Sequence, residues 1–170
     1  MKTIFLITLL SFIEMSAYTQ SCKFNYDKVD PFTNEREQRI VFAPAFNQYF
    51  SMAFYHKGGD YRIESNVNMP GKQEFEIPAG SKLDIKLGNG KLLSLENAGK
   101  VTPAAYVGSD QVMTNYSMSY TITKEQYKEI AENGIALMRT WLHEKQYYDH
   151  EYKKAEMEKT KTGAACIMAN

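Results

Sequence analysis

The stretch Lys82-Leu83-Asp84-Ile85-Lys86-Leu87-Gly88-Asn89-Gly90-Lys91-Leu92-Leu93-Ser94-Leu95-Glu96 decides the fold class. Leu83, Ile85 and Leu87 alternate with Lys82, Asp84 and Lys86, the period of a strand with one face in a core and one in water. Gly88-Asn89-Gly90 then turns the chain back, and two registers compete. A two-residue Asn89-Gly90 loop sets Ile85 opposite Ser94 and Leu83 opposite Glu96. A three-residue loop sets Ile85 opposite Leu93 and Leu83 opposite Leu95, so one face is apolar except for Lys91 beside the turn. A slip by one residue moves a strand's side chains to the wrong face. The three-residue loop is therefore predicted, with Gly90 in the left-handed position of a G1 bulge.

The same alternation recurs on both sides of this hairpin. Phe24, Tyr26 and Val29 suggest a first strand stopped by Asp30-Pro31, and Arg36 to Phe42 a second, ended by Pro44. Tyr49 to His56 is apolar on both faces and reads as a central strand. Lys57-Gly58-Gly59-Asp60 is a hairpin turn, with Tyr61 and Ile63 on the return strand. Phe75 and Ile77 mark a short strand before a turn at Pro78-Ala79-Gly80-Ser81. In Thr114 to Thr123, Tyr116, Met118, Tyr120 and Ile122 alternate strictly with Asn115, Ser117, Ser119 and Thr121.

That strand runs into a helix announced by a capping box, Thr123 at the N-cap and Gln126 at N3. Tyr127, Ile130 and Ala131 give the helix an apolar stripe, and Asn133-Gly134 ends it. A strand over about Ile135 to His143 and a partner through Tyr147-Tyr148 follow. The tail from Glu151 to Lys161 is charged and favours a helix, and Gly163 is expected to break it before Cys166. Many short strands with turn signals between them, and helices only late, predict a mainly β fold. The expected form is an antiparallel β-sandwich or open barrel with one short helix and a C-terminal helix.

Residues 1–19 read as a secretory signal peptide. Lys2 is the positive start, Ile4 to Ile13 an apolar run, and Ser16, Ala17 and Thr19 the small residues before cleavage ahead of Gln20. Spanning a bilayer takes ~20 apolar residues, and Glu14 closes this run well short of that. Lipid anchoring through Cys22 is the alternative, although Thr19-Gln20-Ser21-Cys22 departs from the usual lipobox at two positions. Residues 20–170 then form a single β-rich domain of ordinary size, in the periplasm or outside the cell, with no further membrane span. An exported chain with two cysteines pairs them in an oxidising compartment, so Cys22 and Cys166 are expected to form a disulfide.

The opening Cys22-Lys23-Phe24-Asn25-Tyr26 through Asp30-Pro31-Phe32-Thr33 resembles small secreted proteins of Bacteroidota. The hairpin above, Tyr120-Thr121-Ile122-Thr123 through Met138-Arg139 and the late Cys166 carry the same likeness. The resemblance covers most of the mature chain, implies an envelope or extracellular setting, and carries over no catalytic residue.

Charge and motifs narrow the chemistry. Twenty acidic and twenty basic residues balance, so no overall field recruits nucleic acid or an anionic membrane. The glycine pairs lie between strands rather than between a strand and a helix, which excludes a phosphate loop. No G-x-S-x-G elbow and no cofactor motif occurs. His143 and His150 stand seven apart, not at a usual zinc spacing, and read with Asp149 as solvated hairpin side chains. His56, where a strand meets its turn, reads as a surface residue. Asn115-Tyr116-Ser117 matches a glycosylation sequon but falls on a strand's polar face.

Trp141, Tyr147 and Tyr148 remain. Their rings are flat, apolar and rigid, which suits contact with a protein, peptide or glycan, although rings in strands also pack cores. The sequence thus points to a non-enzymatic, disulfide-stapled binding domain without metal or cofactor. A small hydrolase, or an inhibitor of one, is the alternative.

Overall fold

A computed structural model describes residues 22–42, 49–108, 111–143 and 145–169. The expected leader and cleavage point, and the expected strand end at Pro44, lie outside these residues. Among the described residues, no helix is long and apolar enough to cross a membrane.

Among the described residues, ten antiparallel strands build two sheets. The first contains β1 (Tyr26–Val29), β2 (Arg36–Phe42), β3 (Phe50–Lys57), β4 (Asp60–Pro70), β7 (Ala104–Gly108) and β8 (Gln111–Thr121), in the order β1-β2-β3-β4-β8-β7. The second contains β5 (Lys82–Leu87), β6 (Leu92–Glu96), β9 (Ile135–His143) and β10 (Gln146–Glu151), in the order β10-β9-β5-β6. The predicted mainly β, antiparallel architecture with a short and a C-terminal helix is the one observed.

The hairpin register is the predicted one. Leu83 pairs with Leu95 and Ile85 with Leu93, and Gly90 has φ +87°, a conformation costly for any residue with a Cβ. Leu83, Ile85 and Leu87 are buried. They face Met52, Phe54, Ile63, Tyr116 and Tyr120 in one continuous core. Each such side chain contributes about 1.5–3 kcal/mol when removed from water, so the facing alternations hold the layers together.

The layers are stitched along one side. Asn97, just after β6, accepts from the Ser119 backbone with its side-chain oxygen at 3.1 Å, and Ala98 N–H donates to Ser119 O at 2.9 Å. Helices α1 (Lys124–Asn133) and α2 (Lys154–Met168) pack on one another, and α2 also reaches β2, β3 and β9. The α1 capping box forms as read, with Gln126 N–H donating to Thr123 Oγ1 at 3.2 Å. Buried Thr160 ties α2 to β9 by accepting from Ile135 N–H at 3.0 Å and donating to Met157 O at 2.7 Å. The Cys22–Cys166 disulfide is present and joins positions 144 residues apart.

Three expectations are corrected, and one strand was not foreseen. Phe75 and Ile77 do not form a strand: Ile77 makes a single bridge to Val101, while Phe75 stacks on Tyr116. The β7 strand was not anticipated, because Ala104-Ala105-Tyr106-Val107 carries no alternation. His56 is buried rather than on the surface, since it follows Phe50, Met52 and Phe54 on the inward face of β3. Its ring stacks on Tyr61 at 4.5 Å, and burial lowers its pKa from the usual histidine value. Gly163 does not break the last helix. A Cβ there would lie 2.4 Å from Phe42 Cζ, so the glycine lets that ring rest on the helix backbone.

Candidate functional site

Strand alternation sorts β9 into two faces. Met138, Thr140 and Leu142 point into the core, which sends Arg139, Trp141 and His143 to the other side. Pairing then assembles their neighbours. Trp141 lies opposite Tyr147 of β10, and Arg139 lies between Asp149 of β10 and Asp84 of β5. Asp84 in turn lies opposite Ser94 of β6. Four strands thus contribute to one outward surface.

Its groups are tied together. Arg139 donates twice to Asp149, Nε to Oδ1 at 2.8 Å and Nη2 to Oδ2 at 2.7 Å, the bidentate geometry a carboxylate favours. This pair raises the Arg139 pKa, so the guanidinium stays charged. The cation sits 4.0 Å from the Tyr147 ring centroid and 5.7 Å from that of Trp141. The two rings meet edge to face at 5.3 Å. Trp141 Nε1–H donates to Asp84 Oδ2 at 2.7 Å, and Ser94 Oγ donates to Asp84 Oδ1 at 2.6 Å. With its indole N–H satisfied, Trp141 keeps one orientation, while Tyr147 remains 49% exposed. Beside Trp141 opens a shallow hollow of about 270 Å³, bordered by Pro78, Ser81, Lys82 and His143.

Of the three aromatic residues singled out from sequence, Trp141 and Tyr147 come together and Tyr148 does not. Consecutive strand residues face opposite ways, so Tyr148 turns inward and stacks on Phe50 at 5.4 Å. His143, Asp149 and His150 do not share a cleft. His143 stacks on Phe75 at 5.4 Å and Asp149 is engaged by Arg139. His150 lies inward against Phe50 at 5.0 Å and Tyr152 at 4.5 Å. Among the described residues, no group of three or more His, Cys, Asp or Glu could hold a metal ion. Asn115 donates its side-chain amide to Asn68 at 2.9 Å within the six-stranded sheet.

Asp84, Ser94 and Arg139 were not singled out from the sequence, and Asp149 was weighed there only beside His143 and His150. The i, i+2 spacing of Arg139 and Trp141 was the available signal, whereas the link from Trp141 to Asp84 spans 57 residues and follows only from strand order. No protein-family model matches the chain, and neither does any curated protein or solved structure.

Proposed function

We propose that this chain is an extracytoplasmic, disulfide-stapled β domain that acts by binding, through the outer face of the four-stranded sheet around Trp141 and Tyr147. The observation that carries this reading is the preorganised ledge: two rings at 5.3 Å, with a guanidinium 4.0 Å from one of them and fixed by Asp149. Rigid aromatic and arginine anchors concentrate binding energy because little rotamer freedom is lost when a partner arrives. An extended peptide or a glycan suits this ledge, with its flat apolar contact and the hollow's polar border at Ser81 and Lys82. The envelope setting implied by the resemblance to secreted Bacteroidota proteins belongs to the same proposal, and an intramolecular disulfide is compatible with it.

Trp141 is the only tryptophan, so its fluorescence reports on this surface directly. Titration with peptide and glycan pools should give a saturable change. Tyr147→Ala should weaken that binding about thirtyfold, the loss of ~2 kcal/mol typical of an anchor. Unchanged affinity in both Tyr147→Ala and Trp141→Ala, read by calorimetry, would remove this surface from the function.

A further inference from the structure

Sharing no lining residue with the hollow beside Trp141, an open cleft of about 420 Å³ lies between α2 and the end of β2, within the range of small-molecule sites. Its buried members are apolar: Ile40, Gly163 and the half-cystine Cys166, with the half-buried Phe42 beside them. Two features create it. Gly163 lets the tip of the Phe42 ring reach the helix backbone, and the Cys22–Cys166 bridge, with Cα atoms 5.7 Å apart, brings Lys23 alongside α2.

Three charged residues border the cleft: Lys23, Glu158 and Lys159. Glu158 pairs with Lys161 at 3.5 Å. Neither Lys23 nor Lys159 forms an ion pair among the described residues. An apolar hollow with two unanswered ammonium groups at its mouth complements a molecule with an aliphatic body and one negative end. We infer that this cleft binds a medium-chain carboxylate, its tail against Phe42 and Ile40 and its carboxylate between Lys23 and Lys159. This site is separate from the Trp141 surface and does not depend on what that surface binds.

Isothermal titration of the oxidised protein with monomeric decanoate tests the assignment. One-site saturation is expected, and octanoate should bind about tenfold more weakly because two fewer CH₂ groups are buried. Reversing the mouth with Lys23→Glu and Lys159→Glu should weaken decanoate at least tenfold and leave the neutral 1-decanol unaffected. Ala155→Trp, on the exposed side of α2, should fill the cleft and abolish binding without moving the thermal unfolding midpoint. Absence of saturable binding overturns the inference, as does full affinity in either variant. Lysine-dependent attachment to phosphatidylglycerol vesicles without binding of monomeric decanoate overturns it too, in favour of a lipid surface.

Discussion

The two faces of the four-stranded sheet are built from the same strands and hold together by different physics. Inward, Leu83, Ile85, Met138 and Leu142 contribute by leaving water, and their neighbours across the core are equally apolar. Outward, Asp84, Arg139, Trp141 and Asp149 are half exposed and satisfy one another through directional hydrogen bonds. An exposed ion pair contributes little to stability because water competes for both partners. The outer network therefore fixes side-chain positions while the inner face supplies the folding energy. A rigid surface that stability does not require is free to serve recognition.

The largest expected effect asks whether the inner layer stands without its covalent tie to α2. Cys22→Ser with Cys166→Ser should cost about 4 kcal/mol in denaturant unfolding, as loss of a bridge closing a long loop does. A loss below ~1 kcal/mol would show that packing alone holds the helix in place. Next comes Ile85→Ala, which removes a fully buried side chain and should cost about 3 kcal/mol. Tyr147→Ala, on the other face, should stay within ~0.5 kcal/mol of wild type. Equal losses in the two variants would break the distinction between the faces.

A smaller effect comes from pH. Burial between Phe50 and Tyr152 lowers the pKa of His150 from the ordinary 6.5. The unfolded chain then takes up this proton before the folded one does. The contribution is fully present above about pH 6.5 and is lost as the pH falls through the lowered value. Buried His56 acts with the same sign. Asp27 and Asp30, whose pKa values are lowered by Arg36 and by backbone N–H groups respectively, act only below their ordinary 3.8. Denaturation of His150→Phe at pH 7 and pH 5 should show a shallower decline than wild type. An unchanged slope would place the acid sensitivity elsewhere.

Much of this arrangement was legible in the sequence wherever a choice of register had one apolar outcome. Leu83 and Ile85 could meet only Leu95 and Leu93, and Thr123 with Gln126 announced a helix start through local hydrogen bonds. Where the deciding contact was tertiary, the sequence was silent. Gly163 looks like a helix breaker until the tip of Phe42 is seen pressed against it, and Phe75 looks like a strand residue until Tyr116 claims its ring. At the candidate surface, adjacency in sequence misled. Tyr147 and Tyr148 are neighbours in the chain and on opposite faces of the sheet, while Asp84 lies far away in sequence and accepts the indole proton.

The bridge from Cys22 to Cys166 also decides how the domain bears load. Tension applied at these two positions passes through a covalent link, so the strands between them form a slack, closed ring that is not drawn apart. Stretching the oxidised protein between handles at residues 22 and 166 should extend it hardly at all, whereas the reduced protein would pay out its strands. A domain shunted in this way can carry tension between these two points while its sheets stay paired.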